Sequence, residues 1–360
     1  MKQMSRRERI QAAINRQPVD RVPYAVWRHF PAVDRSPAGL AQATLRFHDH
    51  YGSDFLKITP AGGYAVEAWG CVEAEEVLPD GHRGCASCAV KTADDWKRIR
   101  PLDPMSAEGY SQQIETIVRM GFDRRIGDAP VLPTIFSPMS IAKKLSGTRL
   151  STDLKEHPGL VKDALEAIAE TIQKFCDAAL TEGMSGIFYS IQAASRSAHA
   201  EEVYAEFGEP HDRRILESVA GRSILTIVHC HGDALMFDRL ARLPGHAWNW
   251  DDRRTAPTLG EGRAKVPGAV IGGLDQWGAL RDGTPAMAEA QARDAVAQTT
   301  GTGFRGPPSA RTTAATLSSG VFMVSTQPGP TMTPVPPVWA TASFASATEA
   351  SGVPSRNVVH

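Results

Sequence analysis

Two histidines at the end of an apolar run are the residues of this chain best suited to chemistry. The run 224–228 leads into His229, Cys230 and His231, and the chain then breaks at Gly232. Side chains alternate faces along a strand, so His229 and His231 are predicted to share one face, with Cys230 on the other. Two imidazoles at the carboxyl end of a strand suit metal ligation, proton transfer at a substrate, or hydrogen bonds to neighbouring loops.

Two cationic side chains also accompany strand-like runs. Arg28 follows the apolar run 22–27 by one residue, and Lys57 interrupts the run 55–59. At the rim of a sheet, Arg28 would bind a substrate carboxylate, although a surface arginine is an equal alternative. Lys57 is interpreted either as a pocket cation or as a solvated lysine at a strand end.

Polar residues cluster after two later runs. Asn249 and Asp251 alternate with two tryptophans, and we expect these two polar side chains to point inward at the rim. Asp275 comes shortly after Gly272 and Gly273. Glycine amides at such a place bind anions in many barrels, and plain turn geometry is the alternative explanation for the glycine pair.

The elements that position these residues alternate between strand and helix. Such alternation predicts a parallel sheet with crossover helices, and the number of strands favours a (β/α)8 TIM barrel over an open sheet. An eighth strand is expected near 303–305. The predicted strands are 22–27, 55–59, 129–136, 186–190, 223–231, 246–250 and 269–273, and the predicted helices include 5–15, 40–51, 158–183, 201–219 and 285–297.

Composition narrows the class of protein. The 360 residues are 42% hydrophobic with a formal net charge of -1, which suits one large core and gives no basic surface for nucleic acid or an anionic membrane. The charged N-terminus leads into no apolar segment, so we expect a cytoplasmic protein that acts on small molecules. The five cysteines are expected to be reduced thiols.

The last sixty residues have a different composition. From Gly301 onward Glu349 is the one acid, lysine and aspartate are absent, and threonine, serine, proline and alanine dominate. Such a segment buries too little apolar surface to offset the entropy lost on ordering. The predicted domains are therefore a barrel over 1–305 and a low-complexity tail over 306–360, which is either disordered or translated in an altered reading frame.

The pair Cys85 and Cys88 forms a CxxC motif after the turn-forming Pro79-Asp80-Gly81. No second pair stands at the spacing of a zinc knuckle, so a zinc or redox role is the less favoured interpretation. The favoured one is an insertion hairpin.

Several motifs together resemble the uroporphyrinogen decarboxylase superfamily. They are the opening stretch 7–23, the stretch 67–75, the segment from His229 to Asp233, the run 249–253 and the run 271–275. The resemblance extends from Ser5 to Arg305, and it implies a (β/α)8 barrel. The superfamily contains tetrapyrrole decarboxylases, which use no organic cofactor, and zinc-dependent methyltransferases that serve corrinoids and thiols.

The decarboxylase branch implies that Arg28 binds substrate carboxylates and that Ser190 contacts the substrate. This chain departs from that branch at two places, because Lys57 and its neighbours supply no acid where the family has an aspartate, and Lys144 stands near the family's tyrosine. Under this hypothesis Arg28 and Lys57 anchor carboxylates, and His229 or His231 moves protons.

The methyltransferase branch implies a zinc site built on a His-x-Cys pair. His229 matches the first ligand and His231 replaces the cysteine, which leaves an acceptable zinc ligand in place. No cysteine follows Cys230, so Asp233 or Glu67 is a candidate third ligand. A corrinoid protein would then be a partner. A third hypothesis is a non-catalytic or inactive barrel.

Overall fold

The structure is a computed structural model that describes residues 3–78, 81–121 and 123–300, together with the backbone of 321–326. Within these residues, eight strands form one parallel sheet in the order β1-β10-β9-β8-β7-β6-β5-β2, and a separate antiparallel hairpin joins β3 to β4. The strands are β1 (Tyr24–Trp27), β2 (Leu56–Ile58), β3 (Val72–Val77), β4 (Arg83–Ser87), β5 (Val131–Phe136), β6 (Gly186–Ile191), β7 (Leu225–Cys230), β8 (Ala247–Asn249), β9 (Ala269–Gly273) and β10 (Val321–Thr326).

Except for the first, which precedes the first strand, the helices lie between strands of the large sheet and cover its outer face. In the described part of the chain, none of them is long and apolar enough to cross a membrane. They are α1 (Arg6–Ile14), α2 (Pro37–Tyr51), α3 (Tyr110–Gly121), α4 (Pro138–Ser146), α5 (Leu150–Glu156), α6 (Pro158–Thr181), α7 (Glu201–Phe207), α8 (Glu209–Ala220), α9 (Phe237–Leu240), α10 (Leu259–Lys265) and α11 (Pro285–Thr300).

The sheet curls, and its two faces bury two different cores. One core lies on the concave face, where Trp27, Phe188, Ile227 and Ile271 from four separate strands, and Phe55 immediately before β2, form one buried cluster with residues of α1. The larger core lies between the convex face and the helices. Because strand side chains alternate, neighbouring residues such as Phe188 and Tyr189 enter different cores. For a polar residue at a strand end, its odd or even position along the strand therefore decides which of the two faces its side chain joins.

An ionic network ties the amino-terminal end of the fold together. Arg9 is 3% exposed and Asp54 is fully buried, and Arg9 Nη1 lies 2.6 Å from Asp54 Oδ1. Arg9 also bonds Asp20, and Arg21 bonds the same Asp54. These residues come from the opening stretch that carried part of the family resemblance. The network has a structural role, because its ion pairs join α1 and the segment before β1 to the segment before β2.

Most of the predicted elements are present with shifted ends. A capping box of Ser5 and Glu8 starts α1, which lies within the predicted helix 5–15. The predicted helix 201–219 is two helices that meet at Gly208, where an added Cβ would lie 2.4 Å from the Tyr204 ring. The CxxC motif lies at the end of the predicted insertion hairpin, since β3 pairs with β4.

The eighth strand lies outside the predicted position. Residues 303–305 fall outside the described residues, whereas Val321–Thr326 pairs in parallel with both β1 and β9. This run stands inside the segment that composition marked as a disordered tail. Its valine and phenylalanine residues are typical of a strand. The apolar character of this short run is lost when composition is averaged over the sixty mostly polar residues of the tail.

Candidate active site

Strand β7 brings His229 to the concave face. Leu225 and Ile227 on the same strand belong to the concave core, and His229 continues their face one step nearer the carboxyl end. Ser190 on β6 and Asn249 on β8 are the register partners of His229 on either side. Positive φ values at Gly232 and Ala234 then turn the chain away after His231. Three polar side chains from three adjacent strands therefore meet at one edge of the sheet.

Asn249 fixes the tautomer of His229. Asn249 Nδ2 donates to the Ile271 carbonyl oxygen at 2.9 Å, so its Oδ1 faces His229 and lies 2.6 Å from His229 Nδ1. An amide oxygen only accepts hydrogen bonds, and Nδ1 must therefore carry the proton. Nε2 of His229 is left with a lone pair, which can accept a hydrogen bond or bind a metal.

Burial keeps His229 neutral. Burial, followed by the neighbouring His231, lowers the pKa of His229 to about 3, while the hydrogen bond to Asn249 works in the opposite direction. The ring centroids of His229 and His231 lie 5.8 Å apart. His231 stands just past the end of β7 and is exposed. The pair thus combines a buried neutral imidazole with one that solvent or substrate can reach.

Lys57 lies against aromatic rings on the same concave face. Its Nζ lies 4.7 Å from the centroid of the Phe188 ring and 5.4 Å from that of the Trp27 ring, and it donates to Thr59 Oγ1 at 3.1 Å. Burial lowers the pKa of Lys57 to about 7. Phe188 also contacts the His229 ring at 5.0 Å. The lowered pKa favours the neutral form of the amine. The Phe188 ring contacts both the Lys57 amine and the His229 imidazole.

Sequence reasoning missed the two aromatic residues of this site. Phe188 stands two positions before Ser190 on β6, and Trp27 immediately precedes Arg28. The period-2 alternation that assigned the histidines to one face also assigns Phe188 to the face of Ser190. That signal was available from the sequence.

The contacts of Arg28 lie on the side of α2. Its Nε donates to the His29 carbonyl oxygen, and its guanidinium lies 5.8 Å from the Phe30 ring and interacts with Tyr51 of α2. The physical reason is strand alternation, because Trp27 takes the concave face and the next residue turns toward α2. Arg28 and Lys57 both line a cleft between β1, β2 and α2. His48 of α2 also lines it, whereas His229 and His231 do not.

Asp251 and Asp275 form a separate acidic group at the ends of β8 and β9. Arg254 Nε lies 3.3 Å from Asp275 Oδ1, which also accepts a bond from the Trp277 amide. Burial, and then the charge of Asp275, raises the pKa of Asp251. The Arg254 guanidinium thus partly offsets the charge of the two carboxylates.

The expected anion site on the glycine pair is occupied by a side chain. The Gly273 amide donates to Asp252 Oδ1 at 2.6 Å. A Cβ on Gly272 would lie 2.3 Å from the same oxygen, which explains why glycine stands there. Turn geometry and close approach therefore account for the pair, which is one of the two explanations that the sequence left open.

The two candidate third ligands do not complete a metal site. Asp233 accepts hydrogen bonds from Ser195 through its backbone and side-chain oxygens, and Glu67 interacts with Glu73, Glu108 and Arg35 instead. Among the described residues, no group of three histidine, cysteine or acidic side chains is arranged to hold a metal ion. Any set that includes His229 and His231 would need a donor from elsewhere.

Comparison with known proteins shows the family of this chain. The uroporphyrinogen decarboxylase (URO-D) family model matches residues 5–305. The chain is 22% identical over 311 residues to the methylcobamide:CoM methyltransferase MtbA of Methanosarcina mazei, covering 81% of this chain and 89% of that protein. It is 26% identical over 318 residues to the uroporphyrinogen decarboxylase of Anaeromyxobacter dehalogenans, covering 79% and 87%.

A solved structure is similar in fold. It is described as a methyltransferase from Methanosarcina mazei, and it aligns with a TM-score of 0.75 at 16% identity over 92% of this chain and 95% of its own. The α/β fold with a curled parallel sheet is thus shared beyond the level of sequence. With the family model matching five sixths of its length, this chain belongs to the uroporphyrinogen decarboxylase family.

Proposed function

We propose that this chain is a methyltransferase of its family that moves a methyl group between a corrinoid and a thiol. The observation that carries the proposal is the histidine pair, in which Asn249 fixes the His229 proton on Nδ1 and leaves the Nε2 lone pair available, and the His231 ring stands 5.8 Å away. Metal-ligating histidines commonly donate their second ring N–H to such a partner. The similarity to methylcobamide:CoM methyltransferases adds independent support.

The spacing of the two rings fits a zinc ion. With zinc–nitrogen bonds of about 2.0 Å and tetrahedral geometry, the centroids of two imidazole ligands stand roughly 5 Å apart. The observed 5.8 Å requires only a small side-chain rotation. His229 and His231 would hold the ion, and a bound zinc would lower the pKa of a thiol and so favour the nucleophilic thiolate. A further ligand would come from the substrate or from residues outside those described.

The remaining residues of the site would position the substrate. Lys57 lies partly desolvated between two aromatic rings, where an anionic group of the thiol substrate would restore its positive charge. The rings of Trp27 and Phe188 would exclude water from the reacting atoms. In the transfer, the carbon–cobalt bond of the methylcorrinoid breaks, a carbon–sulfur bond forms, and the thiol proton leaves to solvent.

The architecture supports a closed (β/α)8 barrel around this site. The end strands of the sheet order, β1 and β2, come together where the Asp54 amide donates to the Tyr24 carbonyl oxygen at 2.7 Å. Six strands contribute residues to the concave core, and Phe55 immediately before β2 joins them. Closure would place the carboxyl ends of all eight strands around one mouth, where barrel enzymes bind their substrates.

Decarboxylation of a tetrapyrrole remains the second candidate, and the 26% identity to a uroporphyrinogen decarboxylase favours it. The site itself argues against this reaction. A carboxylate after the second strand would stabilise a pyrrole cation, and this chain presents the Lys57 amine there instead. An amine that gains a proton would repel such a cation.

Metal analysis and two assays test the proposal on the full chain. We expect about one zinc per chain, lost in both His229→Ala and His231→Ala and retained in the control His50→Ala, which alters an exposed residue of α2. We also expect methyl transfer from methylcobalamin to a thiol, seen as a change in cobalamin absorbance. Metal-free protein that consumes uroporphyrinogen would establish decarboxylation instead, and folded protein without metal or either activity would leave a non-catalytic barrel.

A further inference from the structure

Three thiols gather at one end of the β3–β4 hairpin, outside the site described above. Cys85 Sγ and Cys88 Sγ lie 3.4 Å apart. Cys71, at the start of the same hairpin, accepts a hydrogen bond from the Ala89 amide at 3.3 Å and interacts with Cys85. All five cysteines of the chain are free thiols. The group therefore consists of reduced sulfur atoms close enough to exchange bonds.

The close approach of Cys85 and Cys88 depends on where β4 ends. Side chains three positions apart on a regular strand point to opposite faces. Here β4 stops at Ser87, and the chain turns so that the Cys88 thiol returns to the Cys85 thiol. A disulfide has its sulfur atoms about 2.05 Å apart, so bond formation requires an approach of roughly 1.4 Å within a four-residue segment.

The two thiols differ in their access to solvent. Cys85 is exposed, whereas Cys88 is half-buried and Cys71 is 6% exposed. Burial, followed by the bond to Cys85, raises the pKa of Cys88 to about 11. The Lys144 side chain interacts electrostatically with the Cys71 and Cys85 sulfur atoms. Cys85 is thus the thiol that an outside reagent reaches first, with Cys88 behind it.

We propose that Cys85 and Cys88 form a redox-active dithiol that exchanges with low-molecular-weight disulfides. The Cys85 thiolate attacks one sulfur of the disulfide, which forms a mixed disulfide and releases one small thiol. Cys88 then loses its proton to solvent and attacks the Cys85 sulfur, which forms the Cys85–Cys88 bond and releases the second small thiol. The protein is oxidised by two electrons, and the small disulfide is reduced to two thiols.

This assignment is independent of the methyltransferase proposal. Its residues belong to the hairpin, and the histidine pair belongs to β7 and the loop after it. A redox reaction at the hairpin can therefore be measured on protein that lacks any catalytic activity.

Titration of the reduced full chain with oxidised glutathione tests the proposal. We expect the free thiols to fall from five to three, with a Cys85–Cys88 crosslink located by peptide mass spectrometry and no glutathione retained. Cys88→Ser should retain one glutathione on Cys85, because the second step is blocked. Cys85→Ser should react at least ten-fold more slowly than Cys88→Ser.

The buried cysteines provide the control. Cys176→Ser should behave as the wild type with one thiol fewer, since Cys176 is fully buried in the core. Reaction of Cys230 in any variant would report unfolding, because this thiol is 1% exposed in the native chain. Five unreacted thiols, a crosslink to Cys71, or first attack at Cys88 would each overturn the proposal.

Discussion

The chemistry available to His229 depends on one neighbouring amide. Asn249 could face the ring with its oxygen or its nitrogen, and the bond from its Nδ2 to the Ile271 carbonyl selects the oxygen. This choice places the imidazole proton on Nδ1 and leaves Nε2 free. The Ile271 carbonyl of β9 thereby determines that Nε2 is the His229 nitrogen with an available lone pair.

Lys57 links the site to the pH dependence of stability. Its pKa is lowered from 10.5 to about 7, so between these values the unfolded chain binds a proton that the folded chain does not. The free energy of unfolding therefore rises with pH across that interval. Below pH 7 both states are protonated, and the folded state carries the full cost of a partly desolvated charge.

We expect Lys57→Met to remove this dependence, because methionine fills the space between the rings without a charge. The variant should be more stable than the wild type at pH 6, by on the order of 2 kcal/mol. Its advantage should shrink steadily as the pH rises toward 10. Urea denaturation at several pH values measures both curves.

The matched control is Lys155→Met, which alters an exposed lysine of α5. Its difference from the wild type should be small and nearly constant over the same interval. A Lys57→Met curve parallel to that of the wild type would show that Lys57 remains fully solvated in the folded chain.

A hydrogen bond between a carboxylate and an amide joins the loop after β8 to the end of β9. Asp252 Oδ1 accepts from the Gly273 amide, and Arg253 Nε donates to the Gly273 carbonyl oxygen. These contacts join the end of one strand to the end of the next. They also bring the Asp252 carboxylate so close to Gly272 that only a residue without a Cβ fits there.

Gly272→Ala should accordingly destabilise the fold by about 1–3 kcal/mol, since the new Cβ would lie 2.3 Å from Asp252 Oδ1. Gly159→Ala serves as the control, because Gly159 stands in α6 with no atom within 4 Å of an added Cβ. That change should be neutral or stabilising. Equal midpoints for the two variants in urea denaturation would mean that Asp252 moves aside at no cost.

Strand periodicity explains what the sequence could predict about these elements. It assigned His229, His231 and Asn249 to one face, and the structure brings these three together. It does not reveal which backbone groups a side chain has already satisfied, so it left an anion site and plain turn geometry as alternative explanations of the glycine pair. For Arg28, proximity to a strand end suggested a place at the rim, although the neighbouring Trp27 already held the concave face.

For the whole molecule, the critical feature is β10, which covers the edges of β1 and β9. Strand β10 pairs with β9 on one side and β1 on the other, with Met323 opposite both Gly272 and Tyr24. Without it, two parallel strand edges would present unpaired amides and carbonyls. Exposed edges of this kind promote association with other chains and weaken cooperative folding. The family match stops at residue 305, before this strand begins.

A chain shortened to residue 305 should therefore fold less stably than one shortened to residue 330, which keeps Val321–Thr326. We expect the longer variant to retain the thermal midpoint of the full chain and the shorter one to melt at least several degrees lower. The shorter variant should also associate, because the edges of β1 and β9 would be open. Calorimetry and size-exclusion chromatography compare the two. Identical melting and a shared monomeric elution volume would show that the sheet is complete without β10 and that the domain ends near 305.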